Sequence, residues 1–186
     1  EVHKIQAEQY GYLGEHHPMP AQACWLDAFA LMWKMLLEDI VSVGHYDEAD
    51  YIRLLRLFER FSPNFEHNPP ASLLHMDIWH QNILVDSSSR VTGILDWDRA
   101  LWGDPEIEFA VLDYCSISQP AFWKGYGQPR DLSPQAQIRQ VFYLLYELQK
   151  YIVIYQGRLG DYKRAARYKQ QAMQIIRQEL PGISPG

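Results

Sequence analysis

The chain reads as α+β: mostly helical, with one β-hairpin set between two helical parts. Three stretches carry that reading. Trp25, Phe29, Met32, Leu36 and Ile40 recur at steps of three or four, and Trp33 and Leu37 widen the stripe into one long buried helix face. Ile138, Val141, Phe142, Leu145, Leu148 and Ile152 repeat the helical period downstream. Between them, the apolar, β-prone runs Ile83 to Val85 and Val91 to Leu95 flank the polar link Ser87-Ser88-Ser89-Arg90, which is the pattern of a hairpin. The expected organisation is a single unit, with a helical part over 1–70, a loop and hairpin over 71–100 and a second helical part over 101–186.

Taken in order, residues 1–19 hold Tyr10-Gly11-Tyr12-Leu13-Gly14 and His16-His17-Pro18-Met19-Pro20 and read as an irregular surface segment. The paired histidines read as solvated rather than metal-bound. A helix is expected from Ala21 to Val43 with Gly44 as its C-terminal cap, and a second from Asp47 and Asp50 through Ile52, Leu55 and Phe58 until Pro63. Asn64 to Pro70 is a polar connector, and Asp98 to Gly103 a loop. Asp104-Pro105 pairs a favoured N-cap with a favoured first helical residue, so a helix through Glu106, Phe109, Leu112 and Asp113 should follow. Gln119 to Arg130 reads as a loop with one short helical turn around Phe122-Trp123. Ser133-Pro134 repeats the cap signal for a helix ending near Gly157, and Asp161 caps a last helix through Tyr168, Met173 and Ile176, closed by Pro181.

Composition narrows the class. A chain of 186 residues, 47% hydrophobic and 13% aromatic, can bury a sizeable core. Its net charge of -6 without a basic cluster argues against nucleic acid or an anionic membrane surface as partner. No apolar run approaches the roughly 20 residues of a membrane span, and no signal pattern opens the chain, so a cytoplasmic location is expected. Cys24 and Cys115 are too few and too far apart for a disulfide framework or a metal knuckle, and are expected reduced and buried.

The chemistry concentrates at the open end of the hairpin. With the turn centred near Ser88, Asn82 falls opposite Ile94 and Asp96 opposite His80. Strands pair about 4.8 Å apart, so a carboxamide and a carboxylate become neighbours there, with Asp77 on the loop just before. Oxygen donors of this kind suit Mg²⁺, which is typically held by one or two protein ligands together with substrate phosphates. A carboxylate left over can accept a proton, which is the division of labour that phosphoryl transfer needs. A second reading groups His75, Asp77, His80 and Asp96 as a Zn²⁺ site of a metal-dependent hydrolase.

The ordered set His75-x-Asp77, Asn82 with its apolar strand, Ile94-Leu95-Asp96-Trp97 and Gly103-Asp104-Pro105 resembles the catalytic half of the aminoglycoside phosphotransferase family. That family is similar to the choline, homoserine and fructosamine kinases and, more distantly, to protein kinases. The resemblance implies the C-terminal lobe of a protein-kinase-like fold, ATP as co-substrate, Mg²⁺, and a small hydroxylated, aminated acceptor. It makes Asp77 the catalytic base, His75 the support of its loop, and Asn82 and Asp96 the ligands of the metal and so of the nucleotide phosphates. Asp98 is a second-ion ligand or a loop cap, and Asp104 a helix cap or a brace of the active-site loop. The family has Gly between its His and Asp where this chain has Met76, and Gly permits backbone angles that Met does not. Asp39, Glu106 and Glu108 read as ordinary helix-surface charges that could attract an aminated substrate.

Kinases also carry a Gly-rich loop and a strand-borne Lys upstream of the catalytic loop. Neither pattern precedes Leu73. The expectation is a catalytic lobe missing its β-rich N-terminal lobe, binding ATP weakly and turning over little by itself. The missing partner lobe would expose an apolar patch able to join two copies as a homodimer. The rival without chemistry is a kinase-like interaction module.

Overall fold

Six α-helices and six short strands follow one another through residues 1–14 and 18–180, the part of the chain described by the computed structural model. The helices are α1 (Trp25–Ser42), α2 (Glu48–Phe61), α3 (Pro105–Tyr114), α4 (Pro120–Tyr126), α5 (Pro134–Val153) and α6 (Tyr162–Glu179). The strands are β1 (Gln6–Ala7), β2 (Gly11–Tyr12), β3 (Ala71–Leu74), β4 (Ile83–Val85), β5 (Val91–Ile94) and β6 (Leu101–Gly103). They divide between two units, Glu1–Ala28 with His67–Leu132, and Phe29–Glu66 with the chain from Ser133. His16, His17 and Pro181 lie outside the described residues.

The cap signals are local, and they hold, while α1 starts at Trp25 rather than Ala21 and α4 is a helix of 7 residues where one short turn is expected. Gly44 adopts φ 77° after α1, and its N–H reaches Val41 O at 2.9 Å. The side chains of Asp47, Asp104, Ser133 and Asp161 each accept a backbone N–H in the first turn of α2, α3, α5 and α6. The second unit is built around a stack of rings. Phe29 lies parallel to Phe65 with centroids 5.1 Å apart and meets Tyr143 edge-on at 5.1 Å, while Trp33 meets Phe142 at 5.5 Å.

In the first unit an antiparallel sheet runs in the order β1-β3-β6-β2. Three expectations change here. The N-terminal segment supplies β1 and β2 rather than an irregular run, the stretch just before His75 forms β3, and the loop expected before Asp104 contains β6. Strands of two or three residues are too short to show alternation, and they exist because a distant backbone pairs with them, as where Leu73 N–H reaches Ile5 O at 2.8 Å. Cys24 and Cys115 form no disulfide among the described residues and are half-buried rather than buried. No helix among the described residues is long and apolar enough to cross a membrane.

Gly103 sets how closely β6 approaches its neighbours. A Cβ there would lie 2.3 Å from Leu101 Cδ1 and 3.0 Å from both Leu74 Cδ1 and Trp25 Cη2, all on fully buried side chains. Because β6 leads directly into Asp104 and α3, this packing sets where α3 begins. Gly103→Ala is expected to destabilise the protein by about 1–3 kcal/mol through overpacking, read from the shift of a chemical denaturation midpoint.

Candidate active site

The hairpin forms with its turn where the sequence puts it. Asp86 N–H bonds Arg90 O at 2.9 Å, and the Asp86 carboxylate accepts from the N–H of Ser88 and Arg90 at 2.8 and 3.0 Å. The register at the open end differs from expectation by one residue. Ile83 pairs with Ile94 and Leu84 with Gly93, but Val85 pairs with Val91, so Thr92 is an extra residue bulged out of β5. Asn82 therefore faces Leu95 rather than Ile94, and Leu95 N–H donates to Asn82 O at 2.8 Å. Asp96 follows immediately, one residue past the last hydrogen bond between the two strand ends.

Asn82 is buried, and its Nδ2 donates to Asp77 O at 2.9 Å and lies 3.4 Å from Asp77 Oδ2. Asp77 Oδ1 receives Arg99 Nη1 at 3.2 Å in a half-buried ion pair. Asp77 and Asn82 are thus joined as expected, and Arg99, which carries no sequence signal, joins them. Asp96 and Asp98 are exposed, and neither side chain has a protein partner among the described residues.

His75 is 1% exposed and bonds in two directions. Its Nδ1 accepts Asp77 N–H at 3.2 Å, so Nε2 carries the proton and donates to Leu95 O at 2.7 Å. One imidazole thereby ties the Asp77 loop to the residue before Asp96. Trp97 meets the His75 ring edge-on at 4.6 Å and donates its own indole N–H to Ile94 O at 3.0 Å. With both nitrogens of His75 engaged, the zinc grouping loses its first ligand, and the described residues gather no set of three His, Cys, Asp or Glu side chains fit for a metal. The oxygens left over have the chemistry of hard-cation donors: Nδ2 of Asn82 points to Asp77, which leaves Oδ1, and the Asp96 carboxylate has no protein partner among the described residues.

The largest correction concerns Glu108. It is 2% exposed rather than a surface charge, and its Oε1 accepts the N–H of both His75 and Met76 at 2.7 Å. Its Oε2 lies 2.6 Å from His3 Nε2. Two N–H groups can converge on one oxygen because the chain bends sharply at Met76, which sits at φ 63° and is 2% exposed. Asp104 is the helix cap weighed for it, and its second oxygen faces the connector before β3. Oδ1 caps α3 through Glu106 N–H at 3.0 Å, and Oδ2 lies 3.1 Å from His67 Nε2.

A sequence model of the fructosamine kinase family matches residues 3–180. The chain belongs to that family. A protein of Vibrio parahaemolyticus named as a probable ketoamine kinase is 32% identical over 126 residues, covering 67% of this chain and 41% of the relative. Two solved structures share the fold. A fructosamine-3-kinase candidate from Haemophilus somnus 129PT superposes with a TM-score of 0.71 at 20% identity, over 95% of this chain and 60% of its own. A thermostable mutant of aminoglycoside phosphotransferase APH(4)-Ia, in ternary complex with AMP-PNP and hygromycin B, gives 0.63 at 19% identity over 93% and 58%. The protein-kinase-like fold expected from the motifs is the one found, and the chain spans less than half the length of the curated ketoamine kinase it matches.

The Met76 bend reverses a familiar ranking. In most backbone settings Gly costs stability relative to Ala, but at φ 63° an L side chain is strained by roughly 1 kcal/mol. Met76→Gly is therefore expected to retain about 1 kcal/mol more stability than Met76→Ala, although both lose the buried thioether. Parallel urea titrations of the two variants check the order.

Proposed function

We propose that this chain is the catalytic part of an ATP- and Mg²⁺-dependent phosphotransferase that phosphorylates a hydroxyl of a small aminated acceptor in the cytoplasm, a ketoamine before an aminoglycoside. The observation that carries the reading is the joint between Asn82 Nδ2 and the backbone and carboxylate of Asp77, at the mouth of a hairpin whose other strand leads into Asp96. The choice of acceptor class follows the names of the curated relatives.

In this reading Asp77 receives a hydrogen bond from the acceptor hydroxyl and takes its proton as the oxygen attacks the terminal phosphorus of ATP. Asn82 holds the carboxylate in place through Nδ2, and Arg99 orients its other oxygen and balances its charge. Asn82 Oδ1 and Asp96 would hold Mg²⁺, which when bound neutralises the phosphate oxygens. Asp98, two residues past Asp96 and exposed, is free to take a second ion. His75 keeps Asp77 and the Asp96 segment in register through its two ring nitrogens. The lobe that would cover the nucleotide is part of this proposal, as are weak ATP binding by these residues alone and association of two copies through the surface it would leave bare.

The test is an assay of the full-length gene product with ATP, Mg²⁺ and a panel holding a fructosamine and hygromycin B. The expected result is Mg²⁺-dependent ADP release with the fructosamine. No turnover with any hydroxylated amine would end the reading. Asp77→Asn is expected to lower kcat by about 10²–10⁴-fold, with the KM for ATP little changed. Wild-type turnover in that variant would remove Asp77 from the role of base.

A further inference from the structure

Glu108 holds the bend of the loop, and among the described residues one side chain holds Glu108. His3, in the one-turn helix Val2–Lys4, places Nε2 2.6 Å from Oε2. A carboxylate only accepts, so this nitrogen presents its N–H to it. On its other side, His3 Nδ1 lies 3.0 Å from the Tyr126 hydroxyl, and the two rings meet edge-on at 5.6 Å. Phe109 closes a third side of the imidazole at 6.1 Å. Tyr126 stays protonated because burial, then the charges of Glu108 and Asp104, push its hydroxyl pKa up. Tyr126 thus fixes the ring, the ring fixes Oε2, and Oε1 remains aimed at the two loop amides.

We infer that His3 is a positioning residue for the catalytic loop, acting through Glu108 on the backbone of His75 and Met76. The inference rests on reading residues 75–77 as that loop. His3 does not touch the reacting atoms; its role is to keep a buried carboxylate correctly turned. Without the donor, Oε2 is a buried acceptor with no partner, and the carboxylate relieves that cost by rotating. That rotation weakens its hold on the two N–H groups. The Asp77 side chain, one residue past Met76, then loses its set direction.

Two variants separate this role from mere packing. His3→Leu keeps the bulk and removes the donor, whereas His3→Gln can return an N–H to the same oxygen. Amide hydrogen exchange on the full-length protein is expected to speed up at His75 and Met76 by about tenfold or more in His3→Leu, with α3 amides such as Val111 and Leu112 unchanged. His3→Gln is expected to restore protection. In the kinase assay, His3→Leu should lower kcat by about tenfold at an unchanged KM for ATP. Unchanged exchange at His75 and Met76 in His3→Leu overturns the inference, and so does exchange in His3→Gln as fast as in His3→Leu. If the wild type phosphorylates nothing, the proposed function falls, and the exchange measurement still decides the role of His3.

Discussion

One carboxylate sets the geometry of the site. Glu108 is buried on α3, and one of its oxygens collects two consecutive backbone amides at 2.7 Å each. Hydrogen bonds to an ionised acceptor contribute roughly 1.5–3 kcal/mol apiece, enough to hold a bend that the local sequence disfavours. The bend puts Met76 in the left-handed region and turns Asp77 towards Asn82 and Arg99. The same chain of dependence runs back to Gly103 and Asp104, because the close packing of β6 and the cap on α3 fix where that helix starts.

Asp96, like Met76, Ser89 and Ser116, adopts the left-handed conformation, at φ 63°. Asp tolerates that region better than most residues, so the cost there is smaller than at Met76. His75 spans the two strained positions, accepting from Asp77 and donating to Leu95 O. Strain at both ends of one imidazole, offset by buried hydrogen bonds, is how a site keeps its polar groups arranged before any ligand arrives.

Features that act within a few residues were legible in the sequence. Four helix caps, the Gly44 terminus and the centre of the Ser88 turn each depend on neighbours in the chain, and all are found where the pattern puts them. The bulge at Thr92 has one local mark, the isolated Gly93 within the strand run, but its place is set by pairing with β4, and it moves the register at the open end by one. The short strands escaped notice because period-2 alternation cannot appear in two residues. Glu108 was misread because a charge on a helix is usually outside, and only the long-range partners His3, His75 and Met76 justify burying it. Arg99 follows a recognised Asp-Trp-Asp run, yet its pairing with Asp77 depends on how the loop folds back.

The proposed function gives different work to three oxygen-bearing side chains, Asp77, Asn82 and Asp96. Asp77 is enclosed by donors from Asn82 and Arg99, whereas Asp96 stands exposed and unpaired among the described residues. A carboxylate held in direction by Asn82 and Arg99 suits orienting an acceptor hydroxyl, and one without a protein partner among the described residues suits a cation. Anomalous diffraction from crystals of the full-length protein grown with Mn²⁺ and a non-hydrolysable ATP analogue locates the ion directly. The account predicts an ion bound by Asn82 Oδ1 and the Asp96 carboxylate, at about 2.1–2.3 Å, with Asp77 outside its coordination shell. An ion seated on Asp77, with Asn82 and Asp96 uninvolved, would contradict it.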